Sequence, residues 1–584
     1  MHDGLKQFLA TRDFLLHAES YEEMRRDFRW PDPVQFNWAL DYFDWHALDN
    51  QAPALLIEDE SGAENVYSFD ELRRRSNAMA NFLKERGVAK NDCLLLMMNN
   101  SLELFVILLA AMKVGAVVSP ASVQLTASDI RDRMSRSKVR AVVADAALLN
   151  ETGELADVLR GAPVRFINGD DRSGWISLRQ AESRSDRFVN PLPTFSTDPC
   201  LLYFTSGATA HPKMVLHSHV SYPVGHLITM AWIGVRPGDM HYNISAPGWG
   251  KHAWSSFFAP WNAGATVCLW QYNRFDARRT LEFIERRKIT TLCAPPSVWR
   301  RFLQEDMSAH HFSLREIVSA GEPLNPAITK RVRQYTGVTI REGYGQTETV
   351  LQIGAFPNMP PRIGTMGLAA PGFDVAVVGQ DLLPAPPGIE GQIALRVSAT
   401  RPLGLMKGYR CAREREDEVF VGGWYLTGDM AVRDADGYFS FVGRNDDIFK
   451  CSDYRISPFE VESVLLEHPA VIEAAVVASR DDVRNGFVPK AFLALRPGCD
   501  STAEMALDIF RFCRRRMALY KRPRRLQFMP ELVKTTSGKL RRVELREQDD
   551  RLRQHNQRGY LEFMESDFAG DLRANPPQGG DSSL

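Results

Sequence analysis

The chain has 584 residues, with 71 Lys and Arg against 72 Asp and Glu and a formal net charge of −1. This balance provides no overall field that would hold nucleic acid or an anionic membrane. The hydrophobic content of 44% and charged content of 24% are typical of globular proteins and exclude a disordered or collagen-like chain. At about 150 residues per domain, the length predicts several cores, or one large domain and a small one.

Cysteine usage and the pattern of apolar residues predict a cytoplasmic protein. The eight cysteines include no CxxC pair, so they predict neither a zinc site nor a disulfide framework. Residues 1–20 lack the pattern of a secretory signal, and the longest apolar run, 104–112, is far shorter than the roughly 18 residues of a membrane span. We therefore expect no membrane segment and no nucleic-acid partner.

The first two thirds of the chain alternate helix and strand patterns. Residues 68–87 predict a helix, because Ser68 and Glu71 form a capping box and Gly87 provides an end. The apolar run 93–100 is typical of a strand buried on both faces. A helix pattern at 102–114 follows, and strand-like runs lie at 116–120, 140–146, 265–270 and 290–296. The alternation predicts an α/β class with a large N-terminal domain built on parallel sheets.

The pattern changes to shorter elements in the last quarter. A DG turn at 436–437 lies between β-rich runs, and the sequence SPFE at 457–460 predicts the start of a helix. Short strand and helix patterns continue from there and predict a small α+β domain. The predicted domains are 1–444 and a mobile lid at 445–555. The polar stretch 556–584 predicts a disordered tail.

The segment 203–219 has the composition of a phosphate-binding loop. A β-like run ends in hydroxyl-bearing and small residues, and a lysine follows. Backbone N–H groups and hydroxyls bind phosphate oxygens, and the lysine adds positive charge. These residues are Thr205, Ser206, Gly207, Ala208, Thr209 and Lys213. The GxxxxGK[ST] spacing of the Walker loop is missing. Taken alone, the segment is better explained as an ordinary turn.

Five further segments, in a fixed order, change that interpretation. They are AGEPLNP (320–326), EGYGQTET (342–349), YLTGD (425–429), FVGRNDDIFKCSDYRISPFEVES (441–463) and KTTSGKLRR (534–542). With them the chain resembles, over residues 30–550, the adenylate-forming superfamily of acyl-CoA synthetases, luciferases and nonribosomal adenylation domains. Within the superfamily, the sequence FNWALDYFD at 36–44 most resembles that of the medium-chain acyl-CoA synthetases.

The resemblance implies an AMP-forming acyl-CoA ligase. Such an enzyme joins a carboxylate to ATP, releases pyrophosphate, and then lets the CoA thiol displace AMP from the acyl adenylate. The expected ligands are ATP or acyl-AMP, Mg²⁺ and CoA. Because the carboxylate and the triphosphate are both anionic, positive groups must neutralise the charge that develops at the α-phosphorus.

The resemblance also assigns residues to the nucleotide. Lys539 would bridge the carboxylate and the α-phosphate, Thr347 would bind the α-phosphate, and Glu348 would hold Mg²⁺, which suits a hard cation with one carboxylate ligand. Asp429 would accept the ribose hydroxyls. The other residues implied to bind nucleotide are Glu322, Glu342, Gly343, Tyr344, Gly345, Gln346, Arg444 and Arg455.

The acyl group, CoA and the hinge are assigned in the same way. The acyl-binding residues would be Trp249, Gly250 and Lys251, and the CoA-binding residues Ser452, Asp453, Tyr454 and Arg484. Asp446 would mark the hinge about which the lid rotates between the two half-reactions. Tryptophans at 249 and 254 would shorten the acyl pocket and favour branched, cyclic or aromatic acids beside medium-chain ones. The basic run 513–525 is a second candidate for CoA, although a solvated helix face explains it better.

Three residues depart from the family pattern. Ala208 and Ala210 replace a hydroxyl residue and a glycine in the phosphate loop, and Asp453 replaces a glycine beside the CoA tunnel. The first two predict weakened adenylation, so that a preformed acyl adenylate is used. The third predicts adenylation without thioester formation. A complete ligase is our main prediction. The alternatives are transfer to a carrier-protein thiol or an amine, and a degenerate nucleotide-binding interaction protein. The oligomeric state stays open.

Overall fold

The computed structural model describes residues 2–149, 153–190, 192–205, 212–397, 401–451, 454–481, 486–534 and 540–574. The chain divides into two units. Unit 1 comprises Met1–Ala376, Ala394–Thr427 and Ala435–Phe439. Unit 2 comprises Val377–Ile393, Gly428–Asp434 and Ser440–Leu584.

One sheet of unit 1 has eight strands among the residues described. In spatial order they are Gly408–Tyr409, Lys213–Ser218, Pro199–Thr205, Val117–Pro120, Cys93–Met97, Val139–Asp145, Val164–Asn168 and Ile176–Ser177. The strand Cys93–Met97 is buried along its whole length and pairs in parallel with both neighbours. Pro199–Thr205 and Lys213–Ser218 pair antiparallel, which places Thr205 opposite Lys213.

A second sheet of unit 1 has nine strands in the described part of the chain. In spatial order they are Leu368–Ala369, Val350–Gly354, Ile340–Gln346, Glu316–Ala320, Thr291–Cys293, Met240–Asn243, Thr266–Trp270, Pro53–Glu58 and Glu64–Ser68. Its central pairs are parallel, and the pair Ile340–Gln346 with Val350–Gly354 is antiparallel. The predicted α/β class with parallel strands is confirmed.

Two helices of unit 1 lie where the sequence predicts them. Ser68 Oγ accepts the N–H of Glu71 at 3.1 Å at the start of Phe69–Glu85. Ser101 caps Leu102–Val114, which ends at Gly115 with φ of 81°. The other α-helices of unit 1 are Asp3–His17, Tyr21–Asp27, Asp44–Ala47, Ala127–Ser137, Glu154–Arg160, His226–Ile233, Gly250–Ala253, Ala259–Ala263, Ala277–Arg286, Pro296–Phe302, Pro326–Thr336 and Arg413–Val419. Short 3₁₀ or π segments are Trp38–Phe43, Ala146–Leu149, Leu178–Ser183, Trp254–Phe258 and Met307–Ala309.

Five further strands lie where the chain passes between the units. They are Val375–Val378, Glu390–Arg396, Phe420–Val421, Trp424–Arg433 and Phe439–Arg444. The last two flank the DG turn that the sequence predicts at 436–437. Both units draw residues from these strands.

Unit 2 combines a four-stranded sheet with helices in its described residues. The sheet contains Val471–Asp481, Gly486–Leu495, Arg525–Phe528 and Glu562–Met564, and Phe449–Cys451 pairs antiparallel with Tyr454–Ile456. The α-helices are Pro458–Leu465, Ala503–Arg516, Arg542–Gln554 and Ala569–Ala574, and the 3₁₀ segments are Leu519–Lys521 and Glu565–Phe568. Ser457 Oγ accepts the N–H of Glu460 at 3.3 Å, which is the helix start that SPFE predicts.

The predicted polar tail differs from the structure in its first part. Glu562–Met564 adds an antiparallel strand beside Arg525–Phe528. Leu572 is buried in the main core of unit 2, and Phe563 and Phe568 pack against that core. These three apolar side chains order the segment because they bury surface that a free tail would expose. The tail predicted at 575–584 lies outside the described residues.

No described helix combines the length and the apolar character that crossing a membrane requires.

Candidate active site

The motif EGYGQTET covers the end of the strand Ile340–Gln346 and the turn that follows it. That strand pairs antiparallel with Val350–Gly354, with a register shift after Tyr344. A Cβ on Gly345 would lie 1.9 Å from the carbonyl oxygen of Val350, and one on Gly343 would lie 2.5 Å from Cζ2 of Trp232. Both positions therefore require glycine. The close approach that glycine allows lets the two strands pair next to the turn at 347–349.

Tyr409 links two charged groups of the candidate site. Its hydroxyl donates to Glu348 Oε1 at 3.0 Å, and Lys213 Nζ lies 5.3 Å from the centre of its ring. Glu348 is 8% exposed. The strand pairing of Tyr409 with Val215 explains why it lies beside Lys213. The structure thus brings the predicted phosphate lysine and the predicted metal carboxylate to one tyrosine.

Gln346 is held by two groups from the YLTGD segment. Tyr425 Oη donates to Gln346 Oε1 at 3.0 Å, and Gln346 Nε2 donates to the carbonyl of Thr427 at 2.8 Å. Burial raises the pKa of the Tyr425 phenol well above its usual range, so the phenol keeps its proton. This orientation of Gln346 is consistent with a position at the edge of a nucleotide site.

The predicted acyl segment meets the turn that carries Thr347. Tyr222 Oη donates to the carbonyl of Gly250 at 2.9 Å, and a Cβ on Gly250 would lie 3.8 Å from Thr347 Oγ1. Trp249 is half-buried and caps the helix Gly250–Ala253. Lys251 Nζ donates to the carbonyl of Ala320 at 3.3 Å. The acyl segment is therefore adjacent both to Thr347 and to the AGEPLNP segment.

The two predicted adenine-side carboxylates have different surroundings. Glu322 lies 3.9 Å from Arg300 Nη2. Burial raises the pKa of Glu342 to about 8, and the N–H of Leu324 at 3.3 Å opposes that shift only in part. The Glu342 carboxyl is therefore mostly protonated at neutral pH. Its carbonyl oxygen accepts the Trp232 indole N–H at 3.0 Å.

Most of the phosphate loop lies outside the described residues. Ser206, Gly207, Ala208, Thr209 and Ala210 all fall there. Thr205 and Lys213, at the two ends, face each other across the antiparallel pair. Thr205 Oγ1 is buried and has no hydrogen-bond partner among the described residues. The consequences of Ala208 and Ala210 therefore stay predictions.

In unit 2, Asp429 lies beside the predicted hinge. Arg444 Nε is 3.5 Å from Asp429 Oδ1 and 3.3 Å from Asp446 Oδ1. Asp429 is buried, whereas Arg444 and Asp446 are about half exposed. The N–H of Asn445 donates to the carbonyl of Gly428 at 2.9 Å, which ties the hinge segment to the strand that carries Asp429.

The remaining predicted residues of unit 2 are exposed or lie outside the described residues. Arg455 Nη2 is 3.6 Å from Glu390 Oε1, and Tyr454 stacks on Tyr520 with ring centres 4.1 Å apart. Ser452, Asp453, Arg484 and Lys539 lie outside the described residues. A β-bridge joins Lys534 to Leu540, at the two ends of the segment that contains Lys539.

The basic run 513–525 makes mostly structural contacts. Arg514 and Arg524 pair with Glu565, Lys521 with Glu460, and Arg516 with Glu467. Arg525 donates to Ser479 and to the carbonyl of Arg480. These ion pairs favour the interpretation of the run as a packed and partly solvated face over a CoA site.

Comparison with known proteins settles the family. The model of the AMP-binding enzyme family matches residues 43–410, and that of the AMP-binding enzyme C-terminal domain matches residues 460–539. The chain belongs to the AMP-binding enzyme family. The predicted resemblance to the adenylate-forming enzymes is confirmed.

Relatives of this AMP-binding enzyme cover nearly all of it. It is 40% identical to 4-hydroxybutyrate–CoA ligase 1 of Metallosphaera sedula, over 91% of this chain and 94% of the relative. It is 38% identical to the mitochondrial acyl-coenzyme A synthetase ACSM3 of Mus musculus, over 91% and 93%. The crystal structure of the anthranilate CoA ligase AuaEII with anthranoyl-AMP has a TM-score of 0.80 and 27% identity, covering 89% of this chain and 98% of that one.

The sequence does not predict three residues of this AMP-binding enzyme's site. Tyr409 binds the carboxylate of Glu348, Tyr222 binds the carbonyl of Gly250, and His217 binds the carbonyl of Thr347. A signal was present only for His217, a polar side chain in the otherwise apolar strand run MVLH. The two tyrosines contact residues distant in sequence, and their own sequence neighbourhoods carry no pattern for those contacts.

Proposed function

We propose that the chain is an acyl-CoA ligase that activates a carboxylic acid as acyl-AMP and transfers the acyl group to CoA. The proposal depends on one observation. Tyr409 contacts both Lys213 and Glu348, and Glu348 lies in the same turn as Thr347. A cation and a carboxylate suited to Mg²⁺, both in contact with one side chain, suit a triphosphate. The names of the relatives, which include CoA ligases and acyl-coenzyme A synthetases, support the same reaction.

Within this proposal, unit 1 binds the acid and the phosphates. Lys213 neutralises charge on the outer phosphates, and Thr347 donates to an α-phosphate oxygen. Trp249, Gly250 and Lys251 border the acyl group, and Glu322 with residues 342–346 borders the adenine. The close approach of Gly250 to Thr347 supports this assignment, because the acid's carboxyl must reach the α-phosphorus.

Magnesium fits the donor set of this site. The described residues contain no group of three or more acidic, His or Cys side chains that would form an all-protein metal site. One carboxylate, Glu348, suits an ion that takes its other ligands from phosphate oxygens and water. When bound, Mg²⁺ would neutralise phosphate charge. Tyr409 would hold Glu348 for it by the hydrogen bond to Oε1.

Unit 2 supplies the remaining groups. Asp429 accepts the ribose hydroxyls, Arg444 and Arg455 bind the nucleotide, and Lys539 bridges the carboxylate and the α-phosphate. The CoA-binding residues are Ser452, Asp453, Tyr454 and Arg484. Asp446 is the hinge of a lid at 445–555. Arg444 is half exposed and lies near two carboxylates, those of Asp429 and Asp446, which supports a segment that changes partners.

The substrate class is a short or medium acid, including branched, cyclic, aromatic and hydroxy acids. The names of two similar proteins support this class. One relative is a 4-hydroxybutyrate–CoA ligase, and one solved structure is of an anthranilate CoA ligase. The cytoplasmic location stays a prediction, and the mouse relative is named as mitochondrial. Cell fractionation with an antibody to the native chain tests it.

The experiment is a panel of acids incubated with ATP, Mg²⁺ and CoA, and read by mass spectrometry for acyl-AMP and for thioester. 4-Hydroxybutyrate, hexanoate, benzoate and anthranilate represent the classes, and reactions without ATP or without CoA are the controls. We expect acyl-AMP without CoA and thioester with it. Thioester from a synthetic acyl adenylate but none from ATP would identify the weakened variant. Neither product with any acid would contradict the proposal.

A further inference from the structure

His217 connects the phosphate strand to the turn that carries Thr347 and Glu348. It lies in the strand Lys213–Ser218 and is fully buried. Its Nε2 is 2.6 Å from the carbonyl oxygen of Thr347, and its Nδ1 is 2.9 Å from Ser221 Oγ. A carbonyl oxygen only accepts hydrogen bonds, so Nε2 carries the proton. In the neutral ring, Nδ1 then accepts the hydroxyl proton of Ser221.

The imidazole is fixed on its other side as well. Ser221 Oγ accepts the backbone N–H of Ser218 at 2.8 Å, and Ser218 Oγ accepts the N–H of Ser221 at 3.1 Å. Tyr222 packs edge-on against the ring with centres 4.8 Å apart, and its hydroxyl binds Gly250. The orientation of the Nε2–H bond is therefore set before any ligand arrives.

The backbone is strained directly after the turn that receives this hydrogen bond. Val350 has φ of +51°, which is costly for a β-branched residue. Within the turn, the N–H of Gln346 donates to Thr349 Oγ1 at 3.0 Å, and the N–H of Thr349 donates to the carbonyl of Gln346 at 3.2 Å. Both bonds close the turn around the peptide between Thr347 and Glu348, and the N–H of Met406 donates to the carbonyl of Glu348 at 2.7 Å. None of these bonds is made to the Thr347 carbonyl. His217 binds that oxygen, so it restrains the plane of this peptide directly.

We propose that His217 is a positioning residue for the adenylation step. By holding the Thr347–Glu348 peptide plane, it aims the Thr347 hydroxyl and the Glu348 carboxylate at the phosphates. This inference rests on the proposed function, since it gives those two side chains their roles. His217 makes no contact with the substrate in this proposal. It acts on the geometry of the reacting complex, where a small displacement of Thr347 or Glu348 lowers the rate strongly.

The two nitrogens of His217 are tested separately by two amide variants. The amide nitrogen of Gln reaches the position of Nε2, so His217→Gln retains a donor toward Thr347. Asn reaches only the position of Nδ1, so His217→Asn loses that donor. For ATP–pyrophosphate exchange with an accepted acid, we expect His217→Asn to lower kcat by about 100-fold. We expect His217→Gln to keep most of the rate, and KM for ATP to change little in either variant.

His241→Gln is the matched control. His241 is also fully buried, and both its nitrogens bind hydroxyls, those of Thr291 and Ser255. It has no hydrogen bond to the turn at 347–349, so its variant should lose stability but keep kcat. If His217→Asn lowers only the melting temperature, as His241→Gln does, then His217 is a core residue and the inference is wrong.

A milder variant covers the case in which the His217 variants do not fold. Ser221→Ala removes one hydroxyl and leaves the imidazole in place, but frees it to rotate. We expect about a tenfold fall in kcat, and an unchanged kcat overturns the inference. A wild-type chain that shows no exchange with any acid contradicts the proposed function instead, so the two failures are distinguishable.

Discussion

Glu348, proposed to meet the phosphates in unit 1, is buried, whereas Arg444 and Arg455, proposed to bind the nucleotide in unit 2, are half exposed. Glu348 is buried and bonded to Tyr409 at 3.0 Å. Arg444 and Arg455 are 45% and 46% exposed, and their carboxylate partners lie 3.3 to 3.6 Å away. Exposed ion pairs of this kind contribute about 0–1 kcal/mol, so unit 2 can exchange them for a ligand at little cost.

The difference suggests a division of work between the units. Groups that are preorganised need no rearrangement when charge develops, which is how electrostatic catalysis gains most. Groups that change partners suit a segment that acts in one step and then withdraws. Substitutions of Glu348 should therefore affect stability and activity together, and substitutions of Arg444 or Arg455 should affect activity alone.

The largest expected effect is that of Lys539→Ala. Removing the cation at the developing charge should lower adenylation by about 1,000-fold, while thioester formation from a supplied acyl adenylate stays largely intact. Pyrophosphate exchange measures the first and thioester formation the second. Lys534→Ala is the control, because Lys534 belongs to the same segment but pairs with Glu473 at 2.5 Å. An equal loss in both half-reactions would contradict the role of Lys539.

Glu348→Gln tests the fixed site of unit 1. The amide keeps an acceptor for Tyr409 but loses the negative charge, so we expect about a 100-fold fall in exchange and a higher requirement for Mg²⁺. Titration of Mg²⁺ at saturating ATP measures both. Glu58→Gln, another buried carboxylate paired with Arg286 and Arg287, should lower stability without this Mg²⁺ effect. An unchanged Mg²⁺ requirement would remove Glu348 from the metal site.

Arg455→Ala tests the loosely held groups of unit 2. Losing one charge-assisted hydrogen bond to the nucleotide should lower exchange about tenfold. The unfolding free energy should change by less than about 0.5 kcal/mol, because the pair with Glu390 is long and exposed. Arg131→Ala removes a comparable exposed pair with Glu154 and should change neither quantity. If Arg455→Ala lowered the free energy of unfolding by as much as the tenfold fall in exchange represents, the proposed difference between the units would be wrong.

Local signals in the sequence predicted the elements well. Ser68 and Ser457 cap helices where the sequence places them, and the helix pattern at 102–114 is observed as Leu102–Val114. These signals act within one turn of a helix, so a single sequence carries them in full. The ordered motifs likewise placed Lys213, Glu348 and Thr347 in one family site.

Contacts between distant strands could not be predicted in this way. Tyr409 reaches Glu348 and Lys213 because Gly408–Tyr409 pairs with Lys213–Ser218, and nothing near residue 409 specifies that partner. Gly343 looks like a ligand-binding glycine, yet its immediate neighbour is the Trp232 ring. The ordered segment at 562–574 depends on three apolar residues spaced too widely to give a pattern.

For Glu342 in unit 1 we predict an effect on stability rather than a loss of rate. The folded-state pKa of about 8 lies above the ordinary value of 4.5, so between these values the native state holds a proton that the unfolded state has lost. Stability from this group is therefore full below pH 4.5 and decreases as the pH rises toward 8.

In Glu342→Gln that decrease is absent. The free energy of unfolding of the variant therefore rises relative to that of the wild type from pH 5 to pH 8. The gain cannot exceed about 1.4 kcal/mol per pH unit, which is the limit for one proton. Urea unfolding at both pH values measures it, with the exposed Glu282→Gln as control. A constant difference between variant and wild type across this range would mean that Glu342 is ionised in the folded chain.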